Sequence, residues 1–311
     1  MVQKRFVWAG GFIYNETKQL FDEGGFDMPH PPMTPPPIQL TAQEAAYAEN
    51  AKKFRQSFFA MKEHVIKYNL FVPEETAEPL PLVVFMHDMG SISEEPDYTL
   101  RQGIGALVWA DEEEQKKRPC FVLAPQYSEK SAHDDYTVGW AAEATIQLIE
   151  YICSKYNIDK TRIYGTGQSM GTMMLCELLI THPRFFAGCF LTAGQWDPER
   201  MAAIKDEHVW IMVSEHDGRA SPIMGACMEA VEKAGAKVAR GHVDAKADEE
   251  TKAQFCKDVL AQNASIQFTW LDGDSVLLPG AHIFPAVHHM STWKWAYLFE
   301  PIRAWLFEQK L

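Results

Sequence analysis

Short apolar runs alternate with longer segments of helical periodicity from about residue 62 onward. In 64–72, apolar and polar side chains alternate, which predicts a half-buried strand. Further runs are apolar almost throughout and predict strands that are buried on both faces of a sheet. These runs are Leu82–Met86, Cys120–Ala124, Arg162–Tyr164, Ala187–Thr192, Val209–Val213 and Ile266–Leu271.

The segments between and after these runs have the spacing of helices. They are Ala141–Lys155, Met170–Thr181, Ala220–Ala234 and Thr292–Gln309. The second is apolar nearly all round, which is typical of a helix buried against a sheet. Strands that alternate with helices indicate an α/β fold, with a mostly parallel central sheet and helices on both faces.

Residues 1–61 lack this alternation. We expect one or two strands within residues 1–20 and a short helix over Thr41–Gln56. The proline-dense stretch Pro29–Pro37 is predicted to be extended and non-helical. We therefore divide the chain into an N-terminal extension with a Pro-rich linker, residues 1–61, and one α/β domain, residues 62–311.

The composition of the 311-residue chain is globular, with 47% hydrophobic and 23% charged residues. Its 29 basic and 42 acidic residues give a formal net charge of −13. An acidic surface argues against nucleic acid and membranes as partners, because both attract positive charge. No signal-peptide pattern is visible, so a cytoplasmic location is the default expectation, and secretion after removal of a signal peptide is the alternative.

The cysteines and the cofactor motifs restrict the chemistry further. Six cysteines occur, none in C-x-x-C spacing, and most lie in apolar contexts, which predicts buried free thiols. The sequence contains no dinucleotide-binding glycine motif after a strand, no phosphate-binding loop and no zinc-type spacing of histidine or cysteine. It therefore predicts no cofactor and no metal site.

One sequence motif indicates a catalytic residue. Residues 167–171 read G-Q-S-M-G and fit the pattern G-x-S-x-G. The motif follows a predicted strand and opens a predicted helix, the strand–turn–helix setting that presents a nucleophilic serine. Glycines are required because strand and helix come very close at such a turn. Ser169 is therefore the predicted nucleophile.

A serine hydroxyl needs a base, and the base needs an orienting acid. Enzymes with this motif have the chain order serine, acid, histidine. The predicted acid is Asp217, which follows the run Val209–Val213. Glu215 and Asp197 are the alternatives, and a helix cap or a solvated turn is the non-catalytic interpretation of Asp217.

The base is expected between the last strand and the terminal helix. His289 is preferred because it lies closest to the start of that helix. His288 and His282 are the alternatives.

An oxyanion hole requires two backbone donors. We predict the N–H groups of Met170, directly after the nucleophile, and of Met89, in the loop after Leu82–Met86. His87 and Asp88 in the same loop are expected to brace it by hydrogen bonds.

Residues in loops at the carboxyl edge of the sheet are candidates for substrate binding. They are Trp140, Trp196, Gln168, Tyr127 and Trp293, with Phe284 as a further aromatic residue in the same region. Several aromatic side chains would suit a flat aromatic acyl group, and ordinary packing is an equal alternative.

Residues 62–311 resemble α/β-hydrolase esterases of the feruloyl esterase and polyhydroxybutyrate-depolymerase-like group, which grades into prolyl-oligopeptidase-like hydrolases. The resemblance rests on the stretches 81–87, 123–126, 159–171, 293–297 and 305–307. It implies an α/β-hydrolase fold and a triad of Ser169, Asp217 and His289 that forms an acyl-enzyme. His87-Asp88 departs from the His-Gly of many relatives at the second oxyanion donor.

The sequence thus predicts a serine esterase that acts on small-molecule or polysaccharide-linked esters, with feruloyl-type acyl groups as a finer expectation. A prolyl-oligopeptidase-like peptidase and an inactive hydrolase fold that serves as a binding protein are the alternatives. The oligomeric state is left open.

Overall fold

The computed structural model describes residues 7–9, 12–14, 42–74, 77–101, 103–284 and 286–311. The proline-dense stretch 29–37 lies outside these residues. Eleven strands occur in the described part of the chain. They are β1 (Val7–Ala9), β2 (Phe12–Tyr14), β3 (Arg55–Ala60), β4 (Val65–Phe71), β5 (Leu80–Met86), β6 (Phe121–Gln126), β7 (Ile158–Gln168), β8 (Gly188–Thr192), β9 (Val209–Ser214), β10 (Val238–Val243) and β11 (Ile266–Leu271).

Nine α-helices occur in the described residues; the first two precede β6, and the later helices alternate with the strands. They are α1 (Ala42–Glu49), α2 (Glu112–Lys117), α3 (Ala141–Lys155), α4 (Met170–Thr181), α5 (Pro198–Met201), α6 (Ala220–Lys233), α7 (Glu249–Leu260), α8 (Val287–Ala296) and α9 (Glu300–Glu308). No helix in this part of the chain combines the length and the apolar character needed to cross a membrane.

Strands β3 to β11 form one sheet in the order β10-β11-β9-β8-β7-β5-β6-β4-β3. The pairs β3/β4 and β4/β6 are antiparallel, and all other neighbours are parallel. The predicted mostly parallel sheet is thereby confirmed. Strands β1 and β2, which the sequence predicts within residues 1–20, form a separate two-stranded antiparallel sheet.

The core lies in two layers, one on each face of the sheet. Alternate residues of β5 point to opposite layers: Leu82 and Val84 belong to one cluster, and Val83 and Phe85 to the other. Helices α3, α4 and α6 contribute to the first cluster, and α7, α8 and α9 to the second. The continuous apolar runs of the sequence therefore arise from strands that are covered on both sides.

The two edges of the sheet were not predicted. At one edge, β3 replaces the end of the predicted helix Thr41–Gln56, and its residues are mostly exposed. At the other edge, β10 contains Arg240, Gly241 and His242 and has no continuous apolar run. Because β3 belongs to the sheet, the segment 1–61 contributes a strand to the α/β domain.

The predicted terminal helix Thr292–Gln309 is two helices, α8 and α9. Pro301 lies in the first turn of α9. A proline inside a continuous helix would leave the carbonyl four residues earlier without its donor. Here the Tyr297 carbonyl accepts a hydrogen bond from Arg303 Nη1 instead. In addition, α8 begins at Val287, before the predicted start at Thr292, so His289 lies inside a helix and not in a loop before it.

All six cysteines are buried and free, as the sequence predicts. Burial raises the pKa of the thiols, for example that of Cys256 to about 12. The thiols therefore remain protonated and pack as small apolar groups.

Candidate active site

Ser169 is the single residue between the end of β7 and the start of α4. Its backbone has a φ of 51° and a ψ of −114°. A positive φ is uncommon for a residue other than glycine and is held in place only by its surroundings. The Ser169 N–H donates to the Thr192 carbonyl at 3.0 Å, which fixes the turn against β8.

The two glycines of the motif are required by backbone contact. A Cβ atom added at Gly171 would lie 2.0 Å from the Met86 carbonyl oxygen, and one added at Gly167 would lie 2.8 Å from the Gly171 carbonyl carbon. Real Cβ atoms do not approach backbone so closely. The turn therefore accepts only glycine at both positions, as the sequence predicts.

Thr172 holds the turn from inside the molecule, a role that the sequence did not indicate. Its hydroxyl lies 2.9 Å from the Gly167 carbonyl and 2.8 Å from the Thr192 carbonyl. The Thr192 N–H donates back to the same hydroxyl at 3.0 Å. These bonds join β7, α4 and β8 at the point where the serine is presented.

The structure brings Ser169, His289 and Asp217 together. His289 Nε2 lies 2.8 Å from Ser169 Oγ, and His289 Nδ1 lies 2.6 Å from Asp217 Oδ2. An ionised carboxylate can only accept, so Nδ1 carries the proton and donates it to Asp217. Nε2 is then the acceptor that faces the serine hydroxyl.

Asp217 is buried between its partners. Its Oδ1 accepts the N–H groups of Arg219 and Ala220 at 3.1 and 2.9 Å. Burial by itself raises the pKa of the Asp217 carboxyl, but the hydrogen bond and charge of His289, with the two N–H groups, outweigh it. The pKa therefore lies below its ordinary value, and the carboxylate is ionised at neutral pH.

The alternative acids have other hydrogen-bond partners. Asp197 caps α5 by accepting the Glu199 N–H at 2.9 Å. Glu215 accepts the Gly273 N–H at 2.9 Å.

The alternative bases also have other partners. His288 Nε2 lies 2.8 Å from Asp274 Oδ1. The exposed His282 stacks with Phe284 at 6.3 Å between ring centroids. Of the three histidines considered, His289 is the one within hydrogen-bonding distance of the Ser169 hydroxyl.

The loop after β5 runs beside the start of α4. Asp88 Oδ1 accepts the Gly90 N–H at 2.6 Å, and Asp88 Oδ2 accepts Gln168 Nε2 at 2.8 Å. Asp88 thus ties the loop that contains Met89 to the residue before Ser169. This bracing role is the one that the sequence predicts for Asp88, and it makes Gln168 a buried partner of the loop.

His87 is completely buried in the same loop. The Tyr127 N–H donates to His87 Nε2 at 3.0 Å, and His87 Nδ1 donates to the Asp88 carbonyl at 2.7 Å. Burial lowers the pKa of His87 to about 4, against the opposing effect of the Asp88 carbonyl. The imidazole is therefore neutral and braces the loop, as expected.

Most of the predicted substrate-binding side chains lie inside the protein. Gln168, Tyr127, Trp196 and Trp293 are all buried. The Trp196 indole donates to Glu177 Oε2 at 3.2 Å, and Trp293 meets the His289 ring edge-on at 5.3 Å. Four of the five predicted substrate-binding side chains are therefore covered by the protein itself.

Trp140 is the partly exposed member of the set. Its ring stacks on His64 at 4.2 Å, and its Nε1 donates to Glu129. Phe284 is exposed. Of the predicted aromatic residues, these two have side-chain surface that a ligand could contact.

The fold is shared with solved hydrolases. A thermostable esterase is 24% identical, with a TM-score of 0.69, and the match covers 85% of this chain and 64% of the esterase. A serine-to-alanine mutant of the feruloyl esterase module from Clostridium thermocellum, complexed with sinapinate, is 13% identical, with a TM-score of 0.54 and coverage of 83% and 88%.

No protein-family model and no curated protein matches the sequence. The chain spans 64% of the length of the thermostable esterase, so that protein contains structure beyond the shared part. The nine-stranded sheet, the turn at Ser169 and these structural likenesses agree with one another. The chain has the α/β-hydrolase fold.

Proposed function

We propose that this protein is a serine hydrolase that cleaves carboxylic esters through an acyl-enzyme. One observation carries the proposal: the chain of hydrogen bonds from Ser169 Oγ through His289 to Asp217, with distances of 2.8 and 2.6 Å. A nucleophile, a base and an orienting acid in this geometry perform acyl transfer on unrelated folds.

In the first half-reaction, His289 Nε2 takes the proton of Ser169 as Oγ attacks the ester carbonyl carbon. The carbonyl oxygen becomes an oxyanion. The bond to the alcohol oxygen then breaks, and the alcohol leaves with the proton from His289. The acyl group is now bound to Ser169 Oγ as an ester.

In the second half-reaction, His289 takes a proton from water, and the resulting hydroxide attacks the acyl carbon. The bond to Ser169 Oγ breaks, the proton returns to the serine, and the carboxylic acid leaves. Asp217 remains ionised throughout and stabilises the imidazolium each time it forms.

The oxyanion is stabilised by the N–H groups of Met170 and Met89. Met170 is the first residue of α4, where an amide has no acceptor within the helix and the helix dipole is positive. Met89 opens a short 3₁₀ turn, and Asp88 caps the amide of the next residue, Gly90, not that of Met89. We therefore assign these two N–H groups as the oxyanion donors.

The proposal also includes a preference for the acyl group of the ester. Feruloyl-type esters are favoured by the resemblance of the sequence and by the sinapinate bound to a structural relative. Among the aromatic side chains expected to bind such a group, Trp140 is partly exposed and Phe284 is exposed. Small-molecule and polysaccharide-linked esters both remain within the proposal.

The nucleophile is tested with a fluorophosphonate, which modifies activated serines, followed by peptide mapping by mass spectrometry. We expect a single adduct on Ser169 and none in the variant Ser169→Ala. The matched control is Ser154→Ala, an exposed serine whose hydroxyl donates to the Tyr151 carbonyl at 2.6 Å. No adduct, or an adduct at another residue, would contradict the proposal.

The substrate class is tested by turnover of methyl ferulate, a short-chain nitrophenyl ester and a prolyl peptide amide. We expect hydrolysis of one or both esters, and loss of that activity in Ser169→Ala but not in Ser154→Ala. Faster cleavage of the amide would support the peptidase alternative. Absence of any turnover, with an unreactive Ser169, would support a binding protein.

A further inference from the structure

We propose that His216, Asp274 and His288 form a binding site for a divalent transition-metal ion of the zinc class. The proposal rests on the geometry and chemistry of these three side chains and does not depend on the proposed esterase function. It departs from the sequence prediction of no metal site, because its donors come from three separate segments without a recognisable spacing.

The donor atoms converge on a single point. His216 Nδ1 lies 2.9 Å and His288 Nε2 lies 2.8 Å from the same oxygen, Asp274 Oδ1. The three donor atoms all lie within 4.8 Å of one another. Ligand atoms about 2.0–2.2 Å from a tetrahedral zinc ion are separated by about 3.4 Å, so small side-chain movements would admit the ion.

The donor types are those that zinc prefers. Two imidazole nitrogens and one carboxylate oxygen make a three-residue ligand set that leaves the fourth tetrahedral position to water. The side chain of Asp274 is 69% exposed, so solvent reaches the site from that side. Without an ion, both imidazoles must direct an N–H at one carboxylate oxygen. With an ion, their lone pairs face the metal.

His288 is the least exposed of the three proposed ligands, whereas the side chains of His216 and Asp274 are 53% and 69% exposed. The side chain of His288 is only 16% exposed, and its carbonyl accepts the Thr292 hydroxyl at 2.8 Å within α8. The ring of His216 meets that of His288 edge-on, with centroids 5.4 Å apart. A Cβ added at Gly273, directly before Asp274, would lie 3.6 Å from the His216 ring.

The surrounding charge favours a cation. Glu215 and Asp272 lie next to this site, on the same two loops as His216 and Asp274. With His242 they form a second group of possible ligands, in which His242 Nδ1 lies 3.3 Å from Asp272 Oδ1. This second group has one imidazole and its Glu215 already accepts the Gly273 N–H, so it is the weaker candidate.

The position of the site gives the ion a structural role. His216 directly precedes Asp217, and His288 directly precedes His289. An ion bound here would join the loop after β9, the turn after β11 and the first turn of α8. These segments carry the acid and the base of the candidate active site, so the ion would restrain their relative movement.

The test uses the full chain, first stripped of metal with a chelator and then dialysed against Zn²⁺. We expect elemental analysis to find one zinc per chain in the wild type and in Ser169→Ala. The variants Asp274→Ala and His288→Asn should lose it, whereas the control His242→Asn should retain it. In parallel, Co²⁺ should give the visible absorption of a tetrahedral site only in the proteins that retain zinc.

Thermal melting distinguishes a variant that has lost the metal site from one that no longer folds. In chelator, Asp274→Ala should melt as the wild type does, and added Zn²⁺ should raise the melting temperature of the wild type alone. Failure of the wild type to retain zinc would overturn the proposal, whatever its esterase activity. So would zinc retention that persists in Asp274→Ala or that disappears in His242→Asn.

Discussion

Among single residues, two histidines matter most for the chemistry of the candidate site, because their hydrogen bonds fix which ring nitrogen carries the proton. In His289, the carboxylate of Asp217 holds the proton on Nδ1 and leaves Nε2 as an acceptor, 2.8 Å from the serine hydroxyl. In His87, the Tyr127 N–H occupies Nε2 and the Asp88 carbonyl fixes the proton on Nδ1. Both nitrogens of His87 are thus occupied by backbone partners, whereas Nε2 of His289 faces the serine hydroxyl.

The change Asp217→Asn should lower kcat by ~10⁴, as the same exchange does in a serine protease. An amide can donate to Nδ1, which would move the imidazole proton to Nε2 and face it towards the serine. The measurement is ester hydrolysis at saturating substrate. Asp197→Asn is the matched control and should keep the wild-type kcat, because Asp197 caps α5 and asparagine also caps well. Equal losses in both variants would assign Asp217 no special role.

His87 should make the protein less stable in acid. Its pKa is about 4 in the folded state and ~6.5 when unfolded, so between these values the unfolded chain binds the additional proton. The free energy of unfolding should therefore be unaffected by this group above about pH 6.5 and fall by up to ~3 kcal/mol towards pH 4. Urea denaturation across this range measures the slope.

His87→Gln should flatten that slope, because glutamine does not titrate. The control is His282→Gln, which changes an exposed histidine and should keep the wild-type slope. An unchanged pH dependence in His87→Gln would mean that other groups cause the acid sensitivity.

At the scale of elements, the close contact of β5, β7 and α4 limits what the turn at Ser169 accepts. Gly171 lies against the Met86 and His87 carbonyls, and Gly167 against Gly171 itself. Gly225, in the middle of α6, has nothing within 4 Å of where its Cβ would be. The two helices thus contain glycine for different reasons.

Gly171→Ala and Gly225→Ala should have opposite effects. The first forces a Cβ to within 2.0 Å of a carbonyl oxygen and should cost ~3 kcal/mol or more of unfolding free energy, with loss of activity. The second adds a good helix former in open space and should stabilise the protein by ~0.5–1 kcal/mol. Denaturation curves measure both, and tolerance of alanine at 171 would contradict the close contact.

The sequence pattern predicted central elements and missed edge elements. The buried strands β5, β8, β9 and β11 are continuous apolar runs because both of their faces are covered. At the sheet edges, β3 is mostly exposed and leaves no such run. A continuous apolar run in the sequence indicates a buried strand, and an exposed edge strand leaves no such run.

At the scale of the whole molecule, a buried ion network fastens the last helix to the rest. Glu114 of α2 accepts Arg118 at 2.6 and 3.0 Å and Arg303 of α9 at 3.1 Å. Arg118 also donates to Glu300, the first residue of α9, at 2.7 Å. Glu114 and Arg303 are both buried, so each depends on the other for compensation of its charge.

Glu114→Gln should lower the free energy of unfolding by ~3–5 kcal/mol, because it leaves two arginines without their shared buried carboxylate. The neighbouring Glu113→Gln removes an exposed ion pair with Lys116 and should leave the denaturation midpoint close to that of the wild type, because solvent screens the pair. Urea denaturation at neutral pH compares the two. Equal denaturation midpoints would show that the network adds nothing to stability.

The α/β class, the turn at Ser169 and the candidates for acid and base could be predicted from the amino-acid sequence, because strand burial and glycine crowding leave local patterns. The selection of His289 and Asp217 as the partners within hydrogen-bonding distance required the folded protein, since residues 169, 217 and 289 meet through long-range contacts. The same holds for the bracing by Thr172 and His87 and for the convergence of His216, Asp274 and His288. The order of residues along the chain narrows the candidates for such a site, but contacts between distant segments form only when the sheet assembles.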